Sequence, residues 1–366
     1  MRAFALCLFL WLHCSFAAWA QTRPNESGAT DLPLDQTIQT ISTPEPAANN
    51  SGAYVSGMLG NGEAYGGNTS GDRSMEWKGL EFRFGKDLDP AVFGAASLFS
   101  ARGKIRVDFV YYNEGHPDNN HRDGFSTQLV YSNDLRNGLS AEVGVGPYLS
   151  MNTTEIGGVQ INDANLGALF SLALRIALDQ YSQGLHLRVA LNHVAIRDVH
   201  SSNALQVGIG KSFGQVPAYA GTGSSRNPVW IGVAAGSSVT NQAGTDGAPG
   251  FSLEARQYRG SWAASVAAIV EGDDGSRVDR RGIAAQGWFV QPLTGKWAVS
   301  AGVGPYVAKN ERESGHPRLL GLFTLQGDRS ISKTMKVFAS FSRVITFRER
   351  NDRDLFRIGV MKQFGG

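Results

Sequence analysis

Beyond residue 20 this 366-residue chain has no cysteine: its two, Cys7 and Cys14, both lie in the opening stretch MRAFALCLFLWLHCSFAAWAQ. Disulfides, thiolate chemistry and cysteine-held metals are therefore excluded from the rest of the chain. Charge of one sign is lacking too. With 34 Lys+Arg against 32 Asp+Glu the formal net charge is +2, which gives no reason to expect nucleic acid as a partner. After the opening stretch there is no run of about 18 apolar residues, the length a membrane helix needs. The opening itself has Arg2, an apolar run from Ala3 to Phe16 and Ala18-Trp19-Ala20 before Gln21. That pattern predicts a cleaved secretory signal peptide over 1–20 and hence export. Residues 21–52 are polar and rich in Pro, Thr and Asn. They hold too little apolar surface to offset their ordering entropy and read as a flexible leader.

What remains is rich in glycine, with 45 residues, and in aromatics, at 10%. From Ala53 onward it alternates. In LSAEVGVGPYLS, Leu139, Ala141, Val143, Val145 and Leu149 share one face, with Glu142 and Tyr148 on the other. In LGALFSLALRIAL, Leu166, Phe170, Leu172, Leu174 and Ile176 share a face and Arg175 points away. Period-two alternation predicts strands. A soluble sandwich would turn such apolar faces inward, whereas a transmembrane barrel turns them to lipid around a polar interior. Several of these strands run to about ten residues, the length that crosses a bilayer at a tilt. We therefore expect an all-β chain of transmembrane antiparallel barrel type.

The chain is also written twice. VGVGPY at Val143–Tyr148 returns as AGVGPY at Ala301–Tyr306, LEFR at 80–83 as LEAR at 253–256, and ALQVGIGKSFG at 204–214 as LFRIGVMKQFG at 355–365. Matches in the same order mark an internal duplication. The first repeat covers 53–214 and the second 229–366, each with eight strand segments, joined by a linker at 215–228. Two architectures follow: tandem eight-stranded barrels filled by their own side chains, which we favour, or one sixteen-stranded barrel enclosing a channel.

The GVGPY strands, the EGHPDNNHRDG segment (Glu114–Gly124) and the closing strands that end at Phe213 and Phe364 resemble Gram-negative outer-membrane β-barrel proteins over everything after residue 52. The resemblance implies location in the outer membrane, contact with its lipid and lipopolysaccharide, and insertion by machinery that reads a terminal-strand aromatic. No cofactor is implied.

The polar residues form a frame that the repeat retains. Glu114 and Arg122 align with Glu271 and Arg280, and Glu81 and Arg83 with Glu254 and Arg256. Alternation turns these inward together with Arg106 and Asp108, and buried charges need partners, so the simplest expectation is an interior ion-pair network. Acid–base work by the same carboxylates is the sharper alternative. His116 and His121, flanked by Glu114 and Asp123, are candidate metal ligands, but the second copy has neither histidine. Asn192 and His193 align with Ser342 and Arg343 and read as rim residues. Finally, HSSNA at 200–204 is similar to the His-x-Ser-Asn segment of lipid A 3-O-deacylases. That likeness would make His200 the base and Ser202 the nucleophile of an acyl-ester hydrolase, although no carboxylate follows in NALQVGIGKSFG. Three functions are thus in view: a structural or interaction role without catalysis, a lipid A acyl-ester hydrolase using the first repeat, and a small-solute pore if the repeats close as one barrel.

Overall fold

The structure, a computed structural model, describes residues 52–65, 75–88, 103–115, 120–156, 159–197, 199–213, 228–240, 247–313, 315–347 and 351–365. The expected signal peptide, the leader up to residue 51, the linker up to residue 227 and His116 lie outside them. Among the described residues there are sixteen strands: β1 (Ala53–Tyr65), β2 (Met75–Leu88), β3 (Gly103–Asn113), β4 (Asn120–Arg136), β5 (Leu139–Ile156), β6 (Val159–Ala177), β7 (Leu185–Ile196), β8 (Ser201–Phe213), β9 (Val229–Thr240), β10 (Ala248–Arg259), β11 (Trp262–Asp273), β12 (Asp279–Pro292), β13 (Trp297–Asn310), β14 (Arg318–Ser330), β15 (Met335–Ile345) and β16 (Arg353–Phe364).

Neighbouring strands pair antiparallel, and the pairing closes twice. β8 returns to β1, with Ala53 opposite Phe213 and Tyr65 opposite Ser201. β16 returns to β9, with Arg353 opposite Thr240 and Phe364 opposite Val229. The chain is a pair of closed eight-stranded antiparallel barrels. Because β8 uses its second edge on β1, nothing is left for β9, and the sixteen-stranded ring does not form. Closure also removes the open edges that would otherwise leave backbone N–H and C=O groups unpaired. Tight hairpins help set the register. Gly138 (φ +77°) turns β4 into β5 and Gly260 (φ +58°) turns β10 into β11, dihedrals that a residue with a Cβ adopts only at a cost.

Alternation sorts the two faces of the wall. Leu172 (55% exposed), Ile209 (60%) and Ile358 (73%) point out, while Arg83, Asp108 and Glu142 are buried in the lumen. One sector of the outer wall is different. Phe84, Phe109 and Phe125 point outward from β2–β4 and are nevertheless buried, because the second barrel lies against them. Phe125 stacks on Phe323 with ring centroids 3.7 Å apart, and Phe84 stacks on Phe289 at 6.2 Å. Lys86 Nζ donates to Ser261 Oγ (3.1 Å) near the end that carries the barrel termini. Arg343 Nη1 donates to Asp123 Oδ1 (2.6 Å) toward the other end. The barrels therefore stand side by side and point the same way.

Candidate functional site

Among the described residues, the lumen of the first barrel gathers many charged and polar side chains. Because residues i and i+2 share a strand face, the pairs Glu81/Arg83 on β2 and Arg106/Asp108 on β3 point inward next to each other. Arg83 donates through Nε to Glu81 Oε1 (2.8 Å) and through Nη1 to Asp108 Oδ2 (3.0 Å) and Gln128 Oε1 (2.7 Å). Arg106 donates to Asp108 Oδ1 (2.5 Å) and to Glu142 Oε1 (3.1 Å). Arg188 joins the two halves of this network, donating to Glu142 Oε2 and Glu81 Oε1, both at 3.1 Å. Asn192 donates to Glu81 Oε2 (2.9 Å) and to Gln206 Oε1 (2.8 Å). The side chains of Arg83, Glu81 and Asp108 have no exposed surface. Each carboxylate is held by at least one guanidinium, so the lumen is sealed by paired charge. Toward the termini it opens into a cavity of about 980 Å³ lined by Lys104, Arg106, Arg175, Lys211, Asp87 and Asp134 among others.

Glu114 is not part of this network, contrary to the expectation of a single one. It forms a separate cluster nearer the far end of the barrel. There Arg122 Nε and Ser202 Oγ both donate to its carboxylate, and Arg122 Nη1 donates to the His200 carbonyl (2.5 Å). Tyr112 and Tyr148 pack edge to face beside it, with their ring centroids 6.3 Å from each other. Ser202 is fully buried on the lumen side of β8, and the side chain exposed on the outer wall next to it is that of Asn203. His200 is buried as well. A hydroxyl in this position faces a carboxylate inside the barrel, away from the wall that a lipid ester would approach.

The second barrel repeats the frame with different neighbours. Arg256 donates to Glu254 (2.8 Å), and its guanidinium lies 3.6 Å from the centroid of the Trp288 ring, a cation–π geometry. Arg280 forms two bonds with Glu271, at 2.7 and 2.9 Å, the bidentate arrangement that suits a planar guanidinium. Lys336 sits 3.5 Å from Asp328 and 4.0 Å from the Tyr258 ring centroid. In the β11–β12 turn, burial pushes the Asp274 carboxyl up. The Val278, Arg277 and Ser276 amides and the Thr240 hydroxyl outweigh that and hold it at about 2.

The retained pairs Glu81–Arg83, Glu114–Arg122, Glu254–Arg256 and Glu271–Arg280 are each brought into contact, and Arg106 meets Asp108. Neither Asn192 nor His193 behaves simply as a rim residue. Asn192 lies buried in the first network, while His193, its neighbour on the opposite face, meets Asn203 (2.8 Å) outside. His121 approaches Asp123 at 3.9 Å, and among the described residues no group of three His, Cys, Asp or Glu side chains is arranged to hold a metal. Sequence reasoning missed Glu142, Arg188, Asp328 and Lys336. Alternation had already put Glu142 on the polar face, but the repeat aligns it with Ser300 and aligns Arg188 with Phe338, so a search for retained residues passes over both.

No family model matches the chain, and no curated protein does. Among solved structures, Ail, the attachment invasion locus protein of Yersinia pestis, is 9% identical with a TM-score of 0.33, covering 45% of this chain and 99% of that one. Neisserial surface protein A is 14% identical with a TM-score of 0.31, covering 44% and 97%. The translocator domain of the autotransporter NalP from Neisseria meningitidis is 11% identical with a TM-score of 0.22, covering 87% and 90%. Likenesses of this size carry no argument about function, which has to come from the side chains.

Proposed function

We propose that this protein is an integral outer-membrane protein whose two barrels are filled and serve a structural or interaction role, without catalysis and without conducting solute. The observation that carries the reading is the inversion of the wall: aliphatic side chains such as Leu172, Leu205 and Ile358 stand exposed outside while Arg83, Glu81 and Asp108 are sealed inside. In water so extensive an apolar exterior would drive association; against lipid it is the expected surface. The networks bear on the two other functions. Closure at eight strands leaves no wide channel, and paired charges occupy the first lumen, which disfavours a pore. Ser202, buried against Glu114, is not offered to a lipid on the outer wall, which disfavours the hydrolase. The alternative of acid–base work by the interior carboxylates loses support for the same reason: each is paired, and all but Glu254 are shut away from solvent.

Three measurements in a Gram-negative host test this reading. Outer-membrane fractionation is expected to recover the folded chain. Planar-bilayer recordings are expected to show no steady conductance. Mass spectrometry of lipid A is expected to show the same acyl pattern with and without the protein. A soluble chain would overturn the membrane assignment, an open-channel current the filled lumen, and loss of an acyl chain the absence of catalysis.

A further inference from the structure

The face that joins the two barrels is not the same face on each. The first barrel uses β2–β4, with Phe84, Phe109 and Phe125; the second uses β12–β15, with Phe289, Phe323 and Arg343. The repeat pairs β4 with β12 and β7 with β15, so the contact is heterologous, the kind that extends into open arrays unless something stops it. β5 joins the contact at one end, where Arg343 reaches the Met151 sulfur (4.0 Å), which leaves the outer walls of β6–β7 on the first barrel and β10–β11 on the second free.

Two features of the used contact are missing from the free faces. The first is an ion pair. Asp123 is buried against Arg343, which also binds Asp354 at 2.6 and 2.8 Å, and Tyr111 Oη donates to Asp123 Oδ2 at 3.0 Å. In the repeat, Asp123 aligns with Arg281, whose own partner is the exposed Glu311, and Arg343 aligns with His193, which meets Asn203. The β10–β12 wall, the counterpart of β2–β4, therefore presents Arg281, already paired with Glu311, where a partner would need an acid. The second feature is the aromatic ladder. Phe84, Phe109, Tyr111 and Phe125 align with Gln257, Val266, Ala268 and Ile283, side chains that cannot stack on the rings of a facing barrel.

We propose that the barrel–barrel contact is built to form once: the two barrels recognise each other within one chain through the aromatic ladder and the Asp123–Arg343 pair, and their loss from the free faces keeps a second copy from adding. In a lipid surround the ion pair also confers specificity, because separating the barrels would leave Asp123 and Arg343 against hydrocarbon.

The test uses the full chain with a protease site placed in the 215–227 linker and cleaved after folding into bilayer nanodiscs. The wild-type halves are expected to stay together through affinity purification. Asp123→Arg, which sets two guanidinium groups face to face, is expected to lower the recovery of the second half at least tenfold. Phe323→Ala is expected to lower it several-fold with the ion pair intact. Circular dichroism on each variant separates a lost contact from a lost fold, and Phe323→Ala keeps the test valid should Asp123→Arg fail to fold. Uncleaved wild-type chains cross-linked in the bilayer are expected to run as single copies. Wild-type halves that part on cleavage, folded variants that hold together as well as wild type, or an open-ended ladder of cross-linked multimers would overturn the proposal.

Discussion

Asp123 and Arg343 are 220 positions apart in the chain and 2.6 Å apart in space, on the outer walls of different barrels. Neither is exposed, although alternation turns both away from their own lumens. Their contact turns two outward faces into an interior. The same packing explains why Phe109 and Phe125, outward by alternation, are buried while Leu172 and Leu174, equally outward on β6, are not.

Removing Arg83 is expected to be costly. Its guanidinium binds Glu81, Asp108, Gln128 and Ser171, and Arg83→Met would leave two buried carboxylates with fewer partners, a loss of about 3–5 kcal/mol for a buried pair broken on one side. Arg256→Met, whose partner Glu254 keeps 12% side-chain exposure, is expected to cost less. Urea midpoints of the two variants in the same lipid should rank in that order.

Ser202→Ala is expected to be mild, about 1 kcal/mol, since Arg122 still satisfies Glu114 and only one hydrogen bond is lost. Arg122→Ala is expected to be clearly worse, because it strips the buried Glu114 of its cation. Neither variant should change the lipid A of expressing cells. A catalytic Ser202 would instead show as an acyl-chain difference that Ser202→Ala abolishes.

Gly302 lies flat under an indole ring. A Cβ there would come within 2.6 Å of Trp288 Cδ2, whereas at the aligned Gly144 the nearest atom is Gln128 Oε1 at 3.1 Å. Gly302→Ala is therefore expected to cost about 1–3 kcal/mol by overpacking and Gly144→Ala less. Thermal midpoints of the two variants check it.

Asp274 gives an acid-side signature. Its folded value of about 2 lies below the ordinary value for an unfolded Asp of about 3.9. A depressed acid stabilises the fold above the unfolded value, and that contribution is lost as pH falls through the folded one. Between about pH 4 and pH 2 the wild type should lose stability more steeply than Asp274→Asn, and the two slopes should converge above pH 5. Denaturant midpoints across that range measure the difference.

Much of this was legible in the chain. Period two marked the sixteen strands and which side of each faces in, and the repeat picked out Glu81–Arg83 and Glu114–Arg122 as a frame. Strand ends were less legible: β5 and β6 run to Ile156 and from Val159, well past the apolar stretches that betray them, because a barrel wall continues wherever backbone pairing continues. The first network was only half visible, since Glu142 and Arg188 meet Glu81 and Arg106 across the lumen, and no local spacing records a contact across a lumen.

The sequence by itself determined the strand count and the outward apolar face of the wall, because both depend on residue chemistry at a spacing of two. Tertiary structure alone decided that β8 closes onto β1, that Glu114 stands apart from the first network, that Ser202 faces Glu114 inside, and that Asp123 finds Arg343. Each of these depends on which distant strand supplies the neighbour. Barrel closure and the packing of one barrel against the other set that, and period-two alternation does not encode it.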